Sequence, residues 1–202
     1  MGRVMMNLGN SKNARIVFEP KTFVEIMLAA MVCEVEVSGL AKIEKRDSIY
    51  VIHGEPIVFD QTCSLVKTTF DETAYLLWQE KMVLAGQENI IQEARLWWHS
   101  HVWSGVGLSD EDLSTMRLIG QDYDWWLAMV VNKRCQVYME LWRYRPEPLL
   151  RTLIREFEFT EKLSPSMLER LLKDNEERMS EIIKQKVKIV KPVKTSGNDD
   201  DD

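Results

Sequence analysis

Two hydrophobic periods alternate along this chain, and that alternation restricts it to a fold built from both helices and strands. Helical spacing runs through 21-KTFVEIMLAAMVCEV-35, where Phe23, Ile26, Met27, Ala30 and Met31 recur on one side behind Pro20, a residue suited to a helix start. Strand character replaces it in 36-EVSGLAKIEKRDSIYVIHGEPIVFDQTC-63, where two apolar runs flank 45-KRDS-48 as in a hairpin. Gly39, inside the first run, marks a bulge or a close backbone approach. Helix returns at 71-DETAYLLWQEKMVLA-85 with Asp71 as its expected N-cap, and strand at 94-ARLWWHSH-101. The stretch 109-SDEDLSTMRLIGQ-121 reads as a helix capped by Ser109, with acids in the first turn where the helix dipole favours them. Two strands follow at 125–132 and 135–144, joined by a turn at Asn132-Lys133-Arg134, and 153-LIREFEF-159 is expected to complete the sheet. The order predicts an α/β fold, a mixed β-sheet packed by helices.

The organisation expected from these patterns is a lead-in over 1–14, one domain over 15–162, a helical segment over 163–185 and a disordered tail over 186–202. The helical segment starts with Pro165 at its first position, and Leu163, Met167, Leu171 and Leu172 form a partial apolar stripe. Apolar residues make up 45% of the chain, enough for a real core. The formal charge is −6, but most of it lies in the terminal run 199-DDDD-202. The body is near neutral, so neither nucleic acid nor an anionic membrane is an expected partner. Cys33, Cys63 and Cys135 are far apart and form no Cys-x-x-Cys, which speaks against a thiolate zinc site or a redox pair. No secretory signal pattern opens the chain and no apolar run approaches the ~20 residues of a membrane helix. The expectation is a soluble, cytoplasmic protein.

The stretch that points to chemistry is 97-WWHSHVWSGVGLSDEDL-113. The chain has three histidines, and two of them, His99 and His101, stand one residue apart. Side chains alternate along a strand, so both point the same way, with Cβ atoms roughly 6–7 Å apart. Two imidazoles so placed can converge on one zinc ion, and a third ligand must come from elsewhere. The helix after the loop begins Ser109, Asp110, Glu111, Asp112, and a carboxylate in its first turn can complete the set with one position left open, as in zinc hydrolases. On the other side, paired strand histidines and acid-rich helix starts both occur without any metal. His53, in the second hairpin strand, reads as a surface residue. Trp103, in the loop beside the histidines, is the tryptophan best placed to line a substrate groove.

The same residues resemble the signature of the JAMM metalloprotease family, also called the MPN or JAB domain: His-x-His, seven residues of which the first is proline, then Ser-x-x-Asp, with a glutamate upstream. His99-Ser100-His101 matches the histidine pair, and Ser109 and Asp112 fall eight and eleven residues after His101. The glutamate of the family precedes a Gly-Leu strand, and 35-VEVSGLAKI-43 makes Glu36 its counterpart. The family proline is Val102 here, which puts loop shape and substrate class in doubt more than metal binding. Compact prokaryotic and viral members, with Trp-His-Ser-His-Val and a Gly-Val loop, are the more similar ones.

The resemblance implies a JAB/MPN, cytidine-deaminase-like architecture over about 20–145 and a zinc-dependent peptidase or isopeptidase. One zinc ion per chain would be held by His99, His101 and Asp112 and would act as Lewis acid. Glu36 would be the general base and Ser109 a hydrogen-bond donor to the developing oxyanion. The implied partner is a protein or peptide substrate, including the extended tail of a ubiquitin-like protein, which can add as a strand to a sheet edge. The alternative is a catalytically silent scaffold of the same type, working through its C-terminal helical segment. A zinc deaminase would need His-x-Glu with Pro-Cys-x-x-Cys and a zincin His-Glu-x-x-His; the chain has neither.

Overall fold

A computed structural model describes residues 14–64, 68–70, 72–120, 122–146 and 148–190. Most of the lead-in, Asp71 with its expected capping role, and the tail from 191 onward lie outside the described residues. The elements, in order, are β1 (Arg15–Phe18), α1 (Pro20–Val32), β2 (Ser38–Arg46), β3 (Ile49–Ile57), β4 (Gln61–Cys63), β5 (Thr68–Phe70), α2 (Glu72–Leu84), α3 (Glu88–Glu93), β6 (Leu96–His101), α4 (Asp110–Ile119), β7 (Trp125–Asn132), β8 (Val137–Arg143), β9 (Leu150–Ile154), β10 (Glu158–Phe159), α5 (Pro165–Lys186) and β11 (Val187–Ile189). The fold is mixed α/β, as the alternating periods predict.

Eight strands form one mixed sheet in the order β10-β1-β3-β2-β6-β7-β8-β9. The β2–β3 and β7–β8 pairs are antiparallel, as hairpins must be, and β6 runs parallel to β7 with α4 in the crossover between them. The run expected as a single strand at 153–159 is instead split. Its first part belongs to β9 at one edge of the sheet, and Glu158–Phe159 pairs with β1 at the other edge. A flat eight-stranded sheet would hold those edges ~34 Å apart. The four residues from Ile154 to Glu158 reach at most ~14 Å. The sheet therefore curls until its edges approach each other.

Strand alternation divides the core in two. On one face, Leu96 and Trp98 of β6 join Leu127 and Met129 of β7 against α1. On the other, Trp97 joins Leu40, Trp126, Ala128 and Trp142 against α4, with Tyr75 and Trp78 of α2 packed alongside. Each of the Trp97-Trp98 and Trp125-Trp126 pairs thus sends one ring to each face. Gly39 lies at a close approach, as its place inside a strand predicts: a Cβ there would lie 2.4 Å from the Ile57 carbonyl oxygen and 2.7 Å from the Trp98 ring. The β2–β3 register slips just beyond it, between Leu40 and Lys42.

The C-terminal helical segment is part of this body. α1 is covered by the sheet on one side and by α5 on the other, and α5 buries Asn175, Met179 and Ile183, one residue per turn. That stripe begins later than the one read from sequence. At the α1–α5 contact Arg178 pairs with the fully buried Glu25. The tail expected to lack structure from 186 onward does not do so at once. Val187–Ile189 adds in parallel to β4, which pairs with β5 in a small three-stranded sheet, and Lys186 holds Asp60 at 3.2 Å. Among the described residues no helix is long and apolar enough to cross a membrane.

Candidate metal centre

β6 lies in the middle of the large sheet, between β2 and β7, and ends in His101. The alternation that sends Trp97 to the α4 face sends His99 and His101 there too. Their Nε2 atoms stand 3.3 Å apart. Ser100 points the opposite way, and its hydroxyl accepts the Val37 amide at 3.0 Å while its own amide donates to the Val37 carbonyl at 2.8 Å. The residue between the histidines therefore fastens β6 to the segment that carries Glu36.

α4 brings the acid. Ser109 is its N-cap, and the capping box is complete: the Asp112 amide donates to Ser109 Oγ at 3.2 Å, and Asp112 Oδ2 accepts the Ser109 amide at 2.7 Å. Ser109 Oγ also donates to Asp112 Oδ2 at 2.7 Å. This oxygen lies 3.4 Å from His99 Nε2. Of the three acids in the first turn, only Asp112 is locked by the cap against the histidines. Burial pushes its carboxyl up, but the bond and charge of His99 and both Ser109 donors outweigh that and bring it to about 2.

The loop from Val102 to Leu108 is pinned at its near end. Asn132 is completely buried, and its Nδ2 donates to the Ser104 carbonyl at 2.9 Å and to Gln136 Oε1 at 2.8 Å. The Lys133 amide donates to the Val102 carbonyl at 3.4 Å. One residue on, the Gly105 carbonyl lies 2.8 Å from His101 Nδ1. A carbonyl only accepts, so this contact places the ring proton on Nδ1 and leaves the Nε2 lone pair facing the cluster. Nδ1 of His99 is buried and has no hydrogen-bond partner among the described residues. Its ring lies against Trp97, centroids 4.7 Å apart.

The ligand atoms of His99, His101 and Asp112 lie within 4.8 Å of one another, the one such group of three or more among the described residues. Two donors at ~2.0–2.1 Å from a tetrahedral zinc are themselves separated by about 3.3–3.4 Å. The two closest pairs here, 3.3 and 3.4 Å, match that spacing. Two imidazoles and one carboxylate are a fitting donor set for zinc, so these three residues can hold a metal.

Glu36 is not one of the three. It sits in the connection from α1 to β2, where its amide donates to the Ser64 carbonyl at 3.0 Å and the Ser38 amide donates to Gln61 Oε1 at 2.9 Å. The side chain is 8% exposed. Burial first, then the charges of Asp112 and Glu111, push its carboxyl up to about 7. A carboxyl near neutrality beside a donor cluster can exchange protons at neutral pH.

His99, His101, Ser109 and Asp112 thus meet on this face, and Glu36 lies near enough for the Asp112 charge to act on it. The positioning residues Ser100, Gln61 and Asn132 were missed, because each works through backbone contacts that only the folded strand order creates. His53 stays apart, on β3, 3.9 Å from Glu93. Trp103 is 62% exposed beside the site, with Lys133 Nζ 6.0 Å from its ring centre.

No protein-family model and no curated protein matches the chain. Among solved structures it is similar to protein DSY2949 from Desulfitobacterium hafniense, determined in solution, with a TM-score of 0.45 and 14% identity. The match covers 74% of this chain and 95% of that one. A likeness at that distance assigns no role to any residue.

Proposed function

We propose that this protein is a zinc-dependent metallopeptidase or isopeptidase of the JAMM/MPN type. The observation that carries the reading is the convergence of His99, His101 and Asp112 at zinc-like spacing with the half-neutralised carboxyl of Glu36 buried alongside. The succession of helix, hairpin, helix, strand, capped helix and hairpin supports a JAB/MPN architecture. Three free thiols suit a reducing, intracellular setting.

Zinc bound at this cluster supplies Lewis acidity for attack on an amide carbonyl. His99, His101 and Asp112 would hold it, and the Gly105 carbonyl keeps His101 in the tautomer that can ligate. Glu36 accepts the proton of the attacking water and returns it to the leaving amine. Burial keeps its carboxyl above the ordinary range, which favours both taking and giving a proton. Ser109 orients Asp112. Its single hydroxyl proton is directed to Asp112, so donation to a developing oxyanion requires the hydroxyl to turn. The substrate is a protein or peptide amide, the tail of a ubiquitin-like protein included.

Metal content of purified protein, together with peptide hydrolysis, tests the reading. We expect about one zinc per chain, its loss in Asp112→Ala, and a zinc-loaded Glu36→Gln that cleaves at least ~100-fold more slowly. Undiminished cleavage by zinc-loaded Glu36→Gln removes the assigned base. A wild type that takes up no zinc after supplementation leaves a silent scaffold as the better account.

A further inference from the structure

A cavity of about 280 Å³ opens on the same sheet face as the metal centre. Its floor is Leu40, Trp97 and Trp126, and its walls include Tyr75 of α2, Tyr123, and Thr115 and Ile119 of α4. Two elements join it to the centre. Trp97 lines the cavity and also lies against the His99 ring, centroids 4.7 Å apart. α4 carries Asp112 in its first turn and the cavity wall in the next two. At ~1.5 Å per residue, Thr115 is about 4.5 Å and Ile119 about 10.5 Å along the axis from Asp112. An extended peptide advances ~3.3 Å per residue, so the cavity begins one to two residues away from a bond held at the metal.

We propose that this cavity is a specificity pocket that receives one large neutral side chain, aromatic or branched aliphatic, of a peptide substrate, one to three residues from the cleaved bond. The inference rests on the peptidase reading above for its mention of cleavage, while the binding itself does not. The volume is below that of pockets for drug-sized ligands and suits a single side chain. Four of the ten lining residues are aromatic and three are aliphatic, which favours an apolar or aromatic guest. A cationic guest is opposed, because Arg95 already stacks on this cluster, 3.5 Å from the Tyr123 ring centre and 5.5 Å from that of Trp126. An acidic guest is opposed by Asp122 at the rim and by the carboxylates of the centre. One polar feature remains. The buried Nε1 of Trp126 has no hydrogen-bond partner among the described residues. A donor left unpaired in a protein interior is costly, and because this atom has no exposed surface a guest's carbonyl reaches it only if the Trp126 ring turns.

The test separates pocket from peptidase. The indole N–H signals of metal-free wild type are followed by NMR while N-acetyl-phenylalaninamide, N-acetyl-leucinamide, N-acetyl-glycinamide or N-acetyl-lysinamide is added. The expected result is saturable movement of the Trp97 and Trp126 signals with the phenylalanine and leucine probes and none with glycine or lysine. Thr115→Trp fills the cavity and should weaken phenylalaninamide binding at least ~10-fold, which corresponds to ~1.4 kcal/mol. In zinc-loaded protein, a mixed peptide library should be cut near Phe, Leu, Ile or Tyr, and Thr115→Trp should shift the cuts toward small residues. Equal movement with all four probes, or none with any, overturns the pocket, and the wild-type series alone suffices for that even if the variant does not fold. Selective probe binding without cleavage of any peptide keeps the pocket and removes the peptidase reading instead.

Discussion

Two buried carboxylates on opposite faces of the sheet are treated in opposite ways. Glu25, on the α1 face, has no exposed surface and meets cations supplied by the chain itself: Arg178 from α5, and Lys21 at 3.5 Å. Glu36, on the α4 side, is nearly as buried, yet the charges that act on it are those of Asp112 and Glu111. Burial raises both carboxyls. At Glu25 the opposing cations limit the rise; at Glu36 like charges add to it. The first arrangement is a lock between two helices. The second brings carboxylates together, with His99 the imidazole that meets Asp112, and a gathering of negative charge of this kind suits a cation.

The largest effect expected from this contrast is at the lock. Arg178→Ala leaves Glu25 buried with Lys21, which it shares with the nearby Glu55, and removing one partner of a buried pair strands the other. We expect a loss of roughly 3 kcal/mol in urea unfolding, the lower part of the usual range because Lys21 remains. Replacing both partners, as Glu25→Gln with Arg178→Met, should recover most of it. If the single and double variants are equally unstable, the ion pair is not what the α1–α5 contact depends on.

At Glu36 the sign reverses. Its folded pKa, about 7, lies above the ordinary 4.5, so the folded protein keeps a proton that the unfolded chain has already lost. The metal-free protein should therefore lose stability as pH rises from about 4.5 to about 7, with a plateau above. Glu36→Gln removes that slope and should stabilise the metal-free protein at pH 8 by about 3 kcal/mol, while slowing hydrolysis at least ~100-fold. A bound cation offsets the repulsion, so saturating zinc should flatten the wild-type slope and bring the acid limb of activity below pH 7. Unfolding curves of both proteins at pH 5 and pH 8, with and without zinc, decide it. An unchanged slope in Glu36→Gln means that another group titrates in that window.

The same contrast separates what the sequence makes legible from what it hides. Local chemistry reads directly: Pro20 starts α1, Ser109 caps α4, Gly39 sits where Trp98 leaves no room for a side chain, and His99 and His101 share a face because strands alternate. The three candidate ligands and Glu36 fall within local motifs, and so the candidate site can be named from the resemblance those motifs carry. The lock cannot. Glu25 and Arg178 are far apart in the chain, and an acid on an apolar helix gives no sign of its partner until α5 packs. The split of 153–159 escapes for a related reason, since a period of two predicts a strand but not which edge it joins. Val187–Ile189 lies in a lysine-rich run whose composition suggests disorder, yet β4 offers a free edge that three residues suffice to take. Asn132 and Ser100 act through carbonyls and amides of distant residues, which no side-chain pattern records.

The smallest expected effect distinguishes the two faces through a shared device. Ser109 begins α4 and Ser164 begins α5, and each hydroxyl accepts an amide three residues on at 3.2 Å. Loss of either cap should cost about 1 kcal/mol of stability in the metal-free protein. Ser109 does more, because its hydroxyl and its amide both donate to the Asp112 oxygen that faces His99. Such outer contacts commonly set metal affinity by ~10–100-fold. Ser109→Ala should therefore weaken zinc binding at least ~10-fold by competition with a chelator, whereas Ser164→Ala should leave it unchanged. The amide of residue 109 survives the substitution and still donates to Asp112, which keeps the expected loss toward the lower end. Equal zinc affinity in the two variants would mean that the capping hydroxyl only ends a helix. A selective loss in Ser109→Ala makes the cap part of the metal centre, with helix start and ligand orientation carried by one side chain.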